Sequence, residues 1–233
     1  FIYRSGSVDS LASCCRLRNE LQDNTFSYTL GAGGVSTGSK GVITINMNRL
    51  IQTAVKESRD ICEAVREQVR DIHVYLKAWN EILKEELKAG LLPIYNAGYI
   101  SLEKQFLTIG INGYVEGCEF LGYTISPDDE NYVNFTNSVL KVIYDENKAA
   151  KTDDLMFNTE YVPAENLGVK NAKWDKQDGF VVPRDCYNSY FYVVEDTTKP
   201  LDKFMLHGSK MTQYLDGGSA LHLNLEEHLT KEQ

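Results

Sequence analysis

The sequence predicts an α/β fold with a largely parallel sheet, because strand-like and helix-like stretches alternate along it. Three observations carry this. Val42-Ile43-Thr44-Ile45-Asn46-Met47 is β-branched and alternating, as a strand is. Val65, Val69, Ile72, Leu76, Trp79 and Leu83 are spaced 4, 3, 4, 3 and 4, which sets all six on one helical stripe. Leu155 to Val162 reads as a strand that runs into Pro163-Ala164-Glu165-Asn166-Leu167 and then a helical stretch to about Lys176.

The elements follow in order. Phe1 to Arg18 is mixed and contains the adjacent pair Cys14-Cys15. The polar, Gly-rich stretch from Gly31 to Gly41 reads as a long loop ahead of the first strong strand. The striped helix carries Glu67, Arg70, Lys77 and Glu81 off its apolar face, and Gly90 and Pro93 mark its end. A free coiled coil needs roughly three or four heptads, so a helix packed on a larger body is expected. Residues 102 to 122 read as a second, more apolar helix, in which Ile109-Gly110-Ile111-Asn112-Gly113 allows close approach of a neighbour. Asn131 to Ala150 reads as a helix, Tyr187 to Glu195 as an aromatic strand, and Lys199 to Leu215 as a helix. Gly217-Gly218 turns the chain toward a short strand and a final helix. There is no internal repeat.

Composition narrows the function classes. A chain of 233 residues can bury a core as one large domain or two small ones, and 42% hydrophobic with 24% charged residues is ordinary for a globular protein. No run approaches the roughly 18 apolar residues of a membrane span, and Phe1 does not open a secretory signal. The start at Phe1 and the charged, helix-like end Leu229-Thr230-Lys231-Glu232-Gln233 read as edges of a longer protein. A net charge of −9 works against binding DNA or another polyanion, whose phosphates need Lys and Arg, but allows a single nucleotide held by backbone amides. The five cysteines, at 14, 15, 62, 118 and 186, give no disulfide framework and no zinc spacing, so reduced cytoplasmic thiols are expected.

Four features could carry chemistry. Cys14-Cys15, followed by Arg16, suits no common zinc pattern, and two small buried residues are the plain alternative to a reactive pair. The Gly-rich stretch is not a Walker loop, since Gly38-Ser39-Lys40 breaks the required order and a strand follows rather than a helix. Pro163 to Leu167 would expose free N–H groups at a strand-to-helix turn; an anion site and an ordinary capped helix start are both open there. His73, His207, His222 and His228 have no metal-ligand spacing.

Several of these segments, in this order, resemble the anaerobic (class III) ribonucleotide reductases of the glycyl-radical superfamily. A cysteine before Arg16, a Gly-rich loop and then Gly41-Val42-Ile43-Thr44-Ile45-Asn46-Met47-Asn48-Arg49-Leu50 resemble that family's cysteine loop and following strand. Thr108-Ile109-Gly110-Ile111-Asn112-Gly113-Tyr114-Val115-Glu116 is similar to its I-G-x-x-G-x-x-E helix. Pro163 to Leu167 matches a family turn, Tyr187-Asn188-Ser189-Tyr190-Phe191 resembles its Y-x-N-S-F segment with one residue of slippage, and Gly217-Gly218 matches a late double glycine. Asn48 stands where the family often has Pro, and Cys14 is an extra neighbour.

The resemblance implies part of a ten-stranded α/β barrel of the ribonucleotide reductase and pyruvate formate-lyase type, with residues 1–233 as a partial catalytic barrel domain. It implies that Cys15, on a central finger loop, becomes a thiyl radical that removes the 3′ hydrogen of the ribose. Asn46 would bond the ribose hydroxyls, Ala164, Glu165, Asn166 and Leu167 would hold the substrate phosphates, and Asn188 and Ser189 would line the pocket. Reduction of ribonucleoside triphosphates to deoxyribonucleoside triphosphates would follow. The implied glycyl radical, made by a separate S-adenosylmethionine iron-sulfur activase, and a structural zinc belong to parts of the protein outside this sequence. So do the N-terminal regulatory region and an upstream cysteine. Formate or a thioredoxin-like protein would be the reductant and the enzyme a homodimer. Two alternatives stand beside this: a pyruvate formate-lyase-like acyltransferase, and a non-catalytic nucleotide-binding barrel remnant.

Overall fold

The structure is a computed structural model that describes residues 11–13, 16–19, 38–161, 165–193, 199–208, 212–219 and 221. Strands β1 (Leu11–Ser13) and β2 (Arg16–Asn19) pair antiparallel. Strand β3 (Gly38–Asn46) follows and leads directly into helix α1 (Met47–Lys56). The sequence pattern had placed Met47 in the strand and shown no helix after it. Asn46 makes the switch: it is the N-cap of α1, its side-chain oxygen accepting the Arg49 N–H at 3.2 Å.

Helix α2 (Ile61–Lys88) is the predicted amphipathic helix, longer at both ends, and Asp60 caps it by accepting the Glu63 N–H. Val65, Val69, Ile72, Leu76 and Leu83 are buried as the stripe requires. Trp79 is 41% exposed and has another task. Its Nε1 donates to the Lys40 carbonyl at 2.8 Å, and its ring lies where any side chain at Gly41 would have to go. The short helix α3 (Pro93–Asn96) and a 3₁₀ turn at Leu102–Lys104 lead to strand β4 (Gln105–Asn112).

This strand corrects the helix expected over residues 102 to 122. Strand β4 lies between β3 and β5 (Met156–Tyr161) in a parallel sheet of order β3-β4-β5, and seven of its eight residues are buried. A strand covered on both faces reads as a continuous apolar run, so the period that separates strand from helix disappears. Gly113, in the left-handed conformation at φ 73°, ends it and opens α4 (Tyr114–Phe120). Helix α5 (Glu130–Ala150) agrees with the sequence pattern.

After β5 comes α6 (Glu165–Gln177), which completes the predicted strand–turn–helix unit apart from residues 162–164, outside the described set. Residues 187–193, expected as a strand, form no ladder. Side chains take some of their backbone bonds instead: Tyr132 Oη donates to Phe191 O at 2.7 Å, and Glu116 accepts from Asn188 N at 3.0 Å. Of the helix expected over 199–215, the described residues show α7 (Pro200–Leu206), a turn at Gly208 and a helical Thr212, whose N–H donates to Gly208 O at 3.2 Å. Gly217 and Gly218 lie beside β5, with a single parallel bridge from Gly218 to Glu160. The final helix of the sequence pattern lies outside the described residues.

Helices α2 and α5 lean together on the sheet. Arg70 binds Glu146 through two bonds of 2.9 and 3.1 Å, while His73 Nε2 meets Asn147 Oδ1 at 2.8 Å. One apolar cluster joins α1, α2, α4 and α5 to all three strands, with Ile51, Val69, Leu107, Ile109, Tyr114 and Leu140 fully buried. Burying each such side chain contributes about 1.5–3 kcal/mol, which makes this cluster the main support of the sheet. The architecture is mixed α/β with a parallel sheet. Among the described residues no helix is long and apolar enough to cross a membrane.

Candidate functional site

Parallel strands bring their carboxyl ends to one edge, and in open α/β sheets ligands bind at that edge. Here β3 ends at Asn46, β4 at Asn112, and α6 starts four residues after the end of β5. Asn46 and Asn112 are register partners on neighbouring strands. The irregular segment 186–189 closes over them. Gly113 N donates to Asn188 O at 2.9 Å, and Asn112 Nδ2 donates to Tyr187 O, Asn188 O and Ser189 Oγ at 3.3, 3.3 and 3.1 Å. From α6, Asn171 Nδ2 donates to Asn112 Oδ1 at 2.8 Å, and Gly168 O accepts from Tyr187 N at 3.3 Å. Strand ends, loop and helix are therefore one bonded unit.

Gly113 and Gly168 make the close approaches possible. A Cβ on Gly113 would lie 2.9 Å from the Tyr187 ring and 3.4 Å from Asn46 Oδ1; one on Gly168 would lie 2.6 Å from Tyr187 O. Glu116 holds the loop from the other side. It is fully buried, and its Oε1 accepts from Asn188 N at 3.0 Å, Asn188 Nδ2 at 2.7 Å and Arg184 at 2.7 Å. Burial raises the Glu116 pKa above that of an ordinary glutamate, although the Asn188 and Arg184 bonds oppose the rise. Arg184 also grips Glu119 through two bonds of 2.8 Å. Burial works against its charge, but its two carboxylate partners outweigh that and raise its pKa.

A second buried carboxylate, Asp175 on α6, gathers Asn46, Asn48, Arg49 and Tyr187. Burial and the neighbouring Asp175 both raise the Tyr187 pKa, so its phenol stays protonated and donates. Asn48, at the position where the resemblance notes a departure, is fully buried and also donates to Val181 O at 3.1 Å.

The predicted site residues are distributed as follows. Asn46 is partly buried at the sheet edge; Asn188 and Ser189 are 7% and 5% exposed beside Asn112. Asn166 is exposed and Leu167 half-buried in the first turn of α6, whose first residue is Glu165. Cys15 and Ala164 lie outside the described residues. Asn112, Glu116, Asn171, Asp175 and Arg184 were missed as site residues. Asn112 and Glu116 stood inside the quoted I-G-x-x-G-x-x-E segment, where they could have been singled out. Nothing in the spacing marked Asp175. A surface hollow lined by Gln52, Lys56, Phe120, Asp178 and Phe180 contains none of the predicted residues. Among the described residues no group of three or more His, Cys, Asp or Glu side chains could hold a metal ion, and Cys62, Cys118 and Cys186 are not in disulfides.

Residues 2–233 match the family of anaerobic ribonucleoside-triphosphate reductases. The chain belongs to that family. Among solved structures it is similar to an anaerobic ribonucleotide reductase at 31% identity and a TM-score of 0.76, over 84% of this chain and 33% of the other. It is also similar to the Thermotoga maritima anaerobic ribonucleotide reductase with dATP bound in the specificity site (31% identity, TM-score 0.74, covering 82% and 33%). The same enzyme in complex with dATP and CTP gives 30% identity and a TM-score of 0.74 over the same shares. The chain thus spans about a third of the length of the solved structures it resembles. A comparison with curated protein sequences gave no match.

Proposed function

We propose that this chain is the part of an anaerobic ribonucleoside-triphosphate reductase that supplies the radical cysteine and much of the substrate site. The supporting observation is the convergence of Asn46, Asn112, Asn188, Ser189 and the first turns of α6 at one sheet edge, in a chain of that family. On this reading the sheet is part of a ten-stranded barrel, residues 1–233 are a partial catalytic domain, and Cys15 stands on a central finger loop.

Asn46 suits the ribose. Its Oδ1 has accepted one N–H and has a lone pair left, and its Nδ2 faces a single carboxylate, so it can both accept and donate without a change of charge. The turn at 164–167 takes the substrate phosphates on the free N–H groups of α6, a site that needs no excess of basic residues and so fits a net charge of −9. Cys15 gives its S–H hydrogen atom to the glycyl radical of the complete enzyme and then takes the 3′ hydrogen of the ribose. The 2′ hydroxyl leaves as water with a proton. Formate, oxidised to carbon dioxide, or a thioredoxin-like dithiol supplies two electrons and the hydrogen that C2′ takes in place of the hydroxyl. Cys15 returns the 3′ hydrogen, and its thiyl recovers a hydrogen from the glycine that carried the radical. A radical S-adenosylmethionine activase, a homodimeric assembly and a zinc site in another part of the protein complete this reading.

The test uses the full-length protein, activated without oxygen and given a ribonucleoside triphosphate. Deoxynucleotide should form, and Cys15→Ser should abolish it while nucleotide binding is retained. Equal activity of the Cys15→Ser enzyme, or turnover of pyruvate with coenzyme A but of no ribonucleotide, overturns the proposal.

A further inference from the structure

We infer that Asp175 is a positioning residue of the substrate site, fixing the orientation of the Asn46 amide and joining it to the loop that carries Asn188 and Ser189. The inference rests on the reading of Asn46 as a substrate contact and goes beyond it to what holds that contact in place.

Asp175 lies on α6 with its side chain fully buried, and its carboxylate faces only donors. Asn46 Nδ2 reaches its two oxygens at 3.0 and 3.1 Å, and Asn48 Nδ2 reaches Oδ2 at 3.2 Å. Arg49 Nε reaches Oδ1 at 2.7 Å, and Tyr187 Oη donates to Oδ2 at 2.8 Å. A buried carboxylate without such partners is strongly disfavoured, so the four side chains and Asp175 hold one another in a single arrangement.

The consequence for Asn46 is chemical. An amide can be turned over with almost no change in shape, so only its partners decide which end faces where. Asp175 can only accept and therefore must face Nδ2; the Arg49 N–H can only donate and therefore must face Oδ1. Both ends are fixed independently. The two carboxylate oxygens lie too close together, seen from Nδ2, to engage both of its hydrogens along separate directions. One N–H and one lone pair remain on Asn46, in a fixed order along the edge. That is the pattern for two neighbouring hydroxyls, one accepting and one donating.

Tyr187 extends the same control to the loop. Its hydroxyl is held by Asp175 and by Asn48 Nδ2 at 2.7 Å, and its carbonyl accepts from Asn112. Tyr187 precedes Asn188 in the chain. Asp175 therefore links the two sides of the proposed ribose site through groups that do not touch substrate themselves.

The experiment is a double-mutant cycle in the full-length activated enzyme, with Asp175→Asn, Asn46→Ala and the two combined. Glycyl-radical content, from paramagnetic resonance, and melting temperature are read alongside. Asp175→Asn should raise KM for the ribonucleoside triphosphate about tenfold, the effect of losing one hydrogen bond to a charged group. Turnover per radical should change far less, and in the Asn46→Ala background the same substitution should leave KM nearly unaltered. A fall in melting temperature with KM intact would assign Asp175 to the scaffold and overturn the inference. An equal rise of KM in both backgrounds would do the same. If Asn46→Ala alone leaves KM unaltered, Asn46 is not a substrate contact, and the parent reading of that residue falls together with this one. Should Asp175→Asn fail to fold, Tyr187→Phe takes its place in the cycle, with a smaller rise in KM expected and no rise overturning the link.

Discussion

At the scale of single residues, polar groups rather than apolar ones decide where the chain is held, and the sequence disclosed them unevenly. Asn46, Asn188 and Ser189 were legible because a resemblance quoted them in short segments. Asp175 was not, since a carboxylate on a charged helix looks like a solvated one until its burial is known. His73 is a similar case: it had no metal-ligand spacing, and its role is structural. Its Nε2 meets Asn147 Oδ1 at 2.8 Å and is the donor in this orientation of the amide, in which Asn147 Nδ2 donates to Thr159 Oγ1 at 2.8 Å. Burial lowers the His73 pKa below its usual 6.5, outweighing the Asn147 bond that opposes the change. The sign of the effect follows. The folded form disfavours the proton, so the stabilisation is complete above pH 6.5 and is lost as pH falls through the lowered folded-state value. Denaturant unfolding at a series of pH values between 7 and 5 should show falling stability in the natural protein and a shallower fall in His73→Gln. Equal slopes in the two proteins would exclude this role.

At the scale of elements, legibility followed exposure. Helices α2 and α5 each keep a solvated face, so their period shows, and the unit from β5 to α6 carried its own turn residues. Strand β4 lost its period because neither face meets water, and the 187–193 segment looked like a strand because it is aromatic. Aromatic content there serves burial: Phe191 and Tyr192 are fully buried, with Phe191 against Tyr161 at 4.5 Å between centroids. The contact between α6 and this segment offers a test in which two effects have opposite signs. Alanine in place of a mid-helix glycine is worth about 1 kcal/mol in helix propensity, so Gly168→Ala should stabilise an isolated helix. In the folded protein the new Cβ would lie 2.6 Å from Tyr187 O and 3.2 Å from Tyr187 N, and these are backbone atoms that cannot turn aside. Overpacking of this kind costs about 1–3 kcal/mol. Gly168→Ala is therefore expected to lower the melting temperature and to raise KM in the full-length enzyme, because the segment pushed away carries Asn188. A higher melting temperature would show that the contact is looser than described.

At the scale of the whole molecule, the site edge stands on one apolar cluster, and damage to the cluster should be separable from damage to the site. Ile109 is the test position. It lies in the central strand with no exposure, three residues before Asn112, and its strand is bonded to β3 on one side and β5 on the other. Truncating such a residue to alanine costs about 2–5 kcal/mol, from lost burial and the cavity left behind. Asn46, Asn112, Asn188 and Glu116 are held by their own hydrogen bonds rather than by Ile109. Ile109→Ala should therefore lower stability by that amount while KM, measured well below the melting temperature, stays close to that of the natural enzyme. Val74→Ala on the open face of α2, where the side chain is 66% exposed, should change stability by no more than about 0.5 kcal/mol. The two tryptophans sharpen the comparison, since Trp79 lies on α2, ahead of the central strand β4, and Trp174 on α6, after β5. If one cluster supports both regions, tryptophan fluorescence and far-ultraviolet circular dichroism should give coincident unfolding curves in Ile109→Ala, shifted together from those of the natural protein. Separate transitions would mean that α6 and the loop it holds can leave the sheet while α2 remains packed, and the site would then be a unit with a stability of its own.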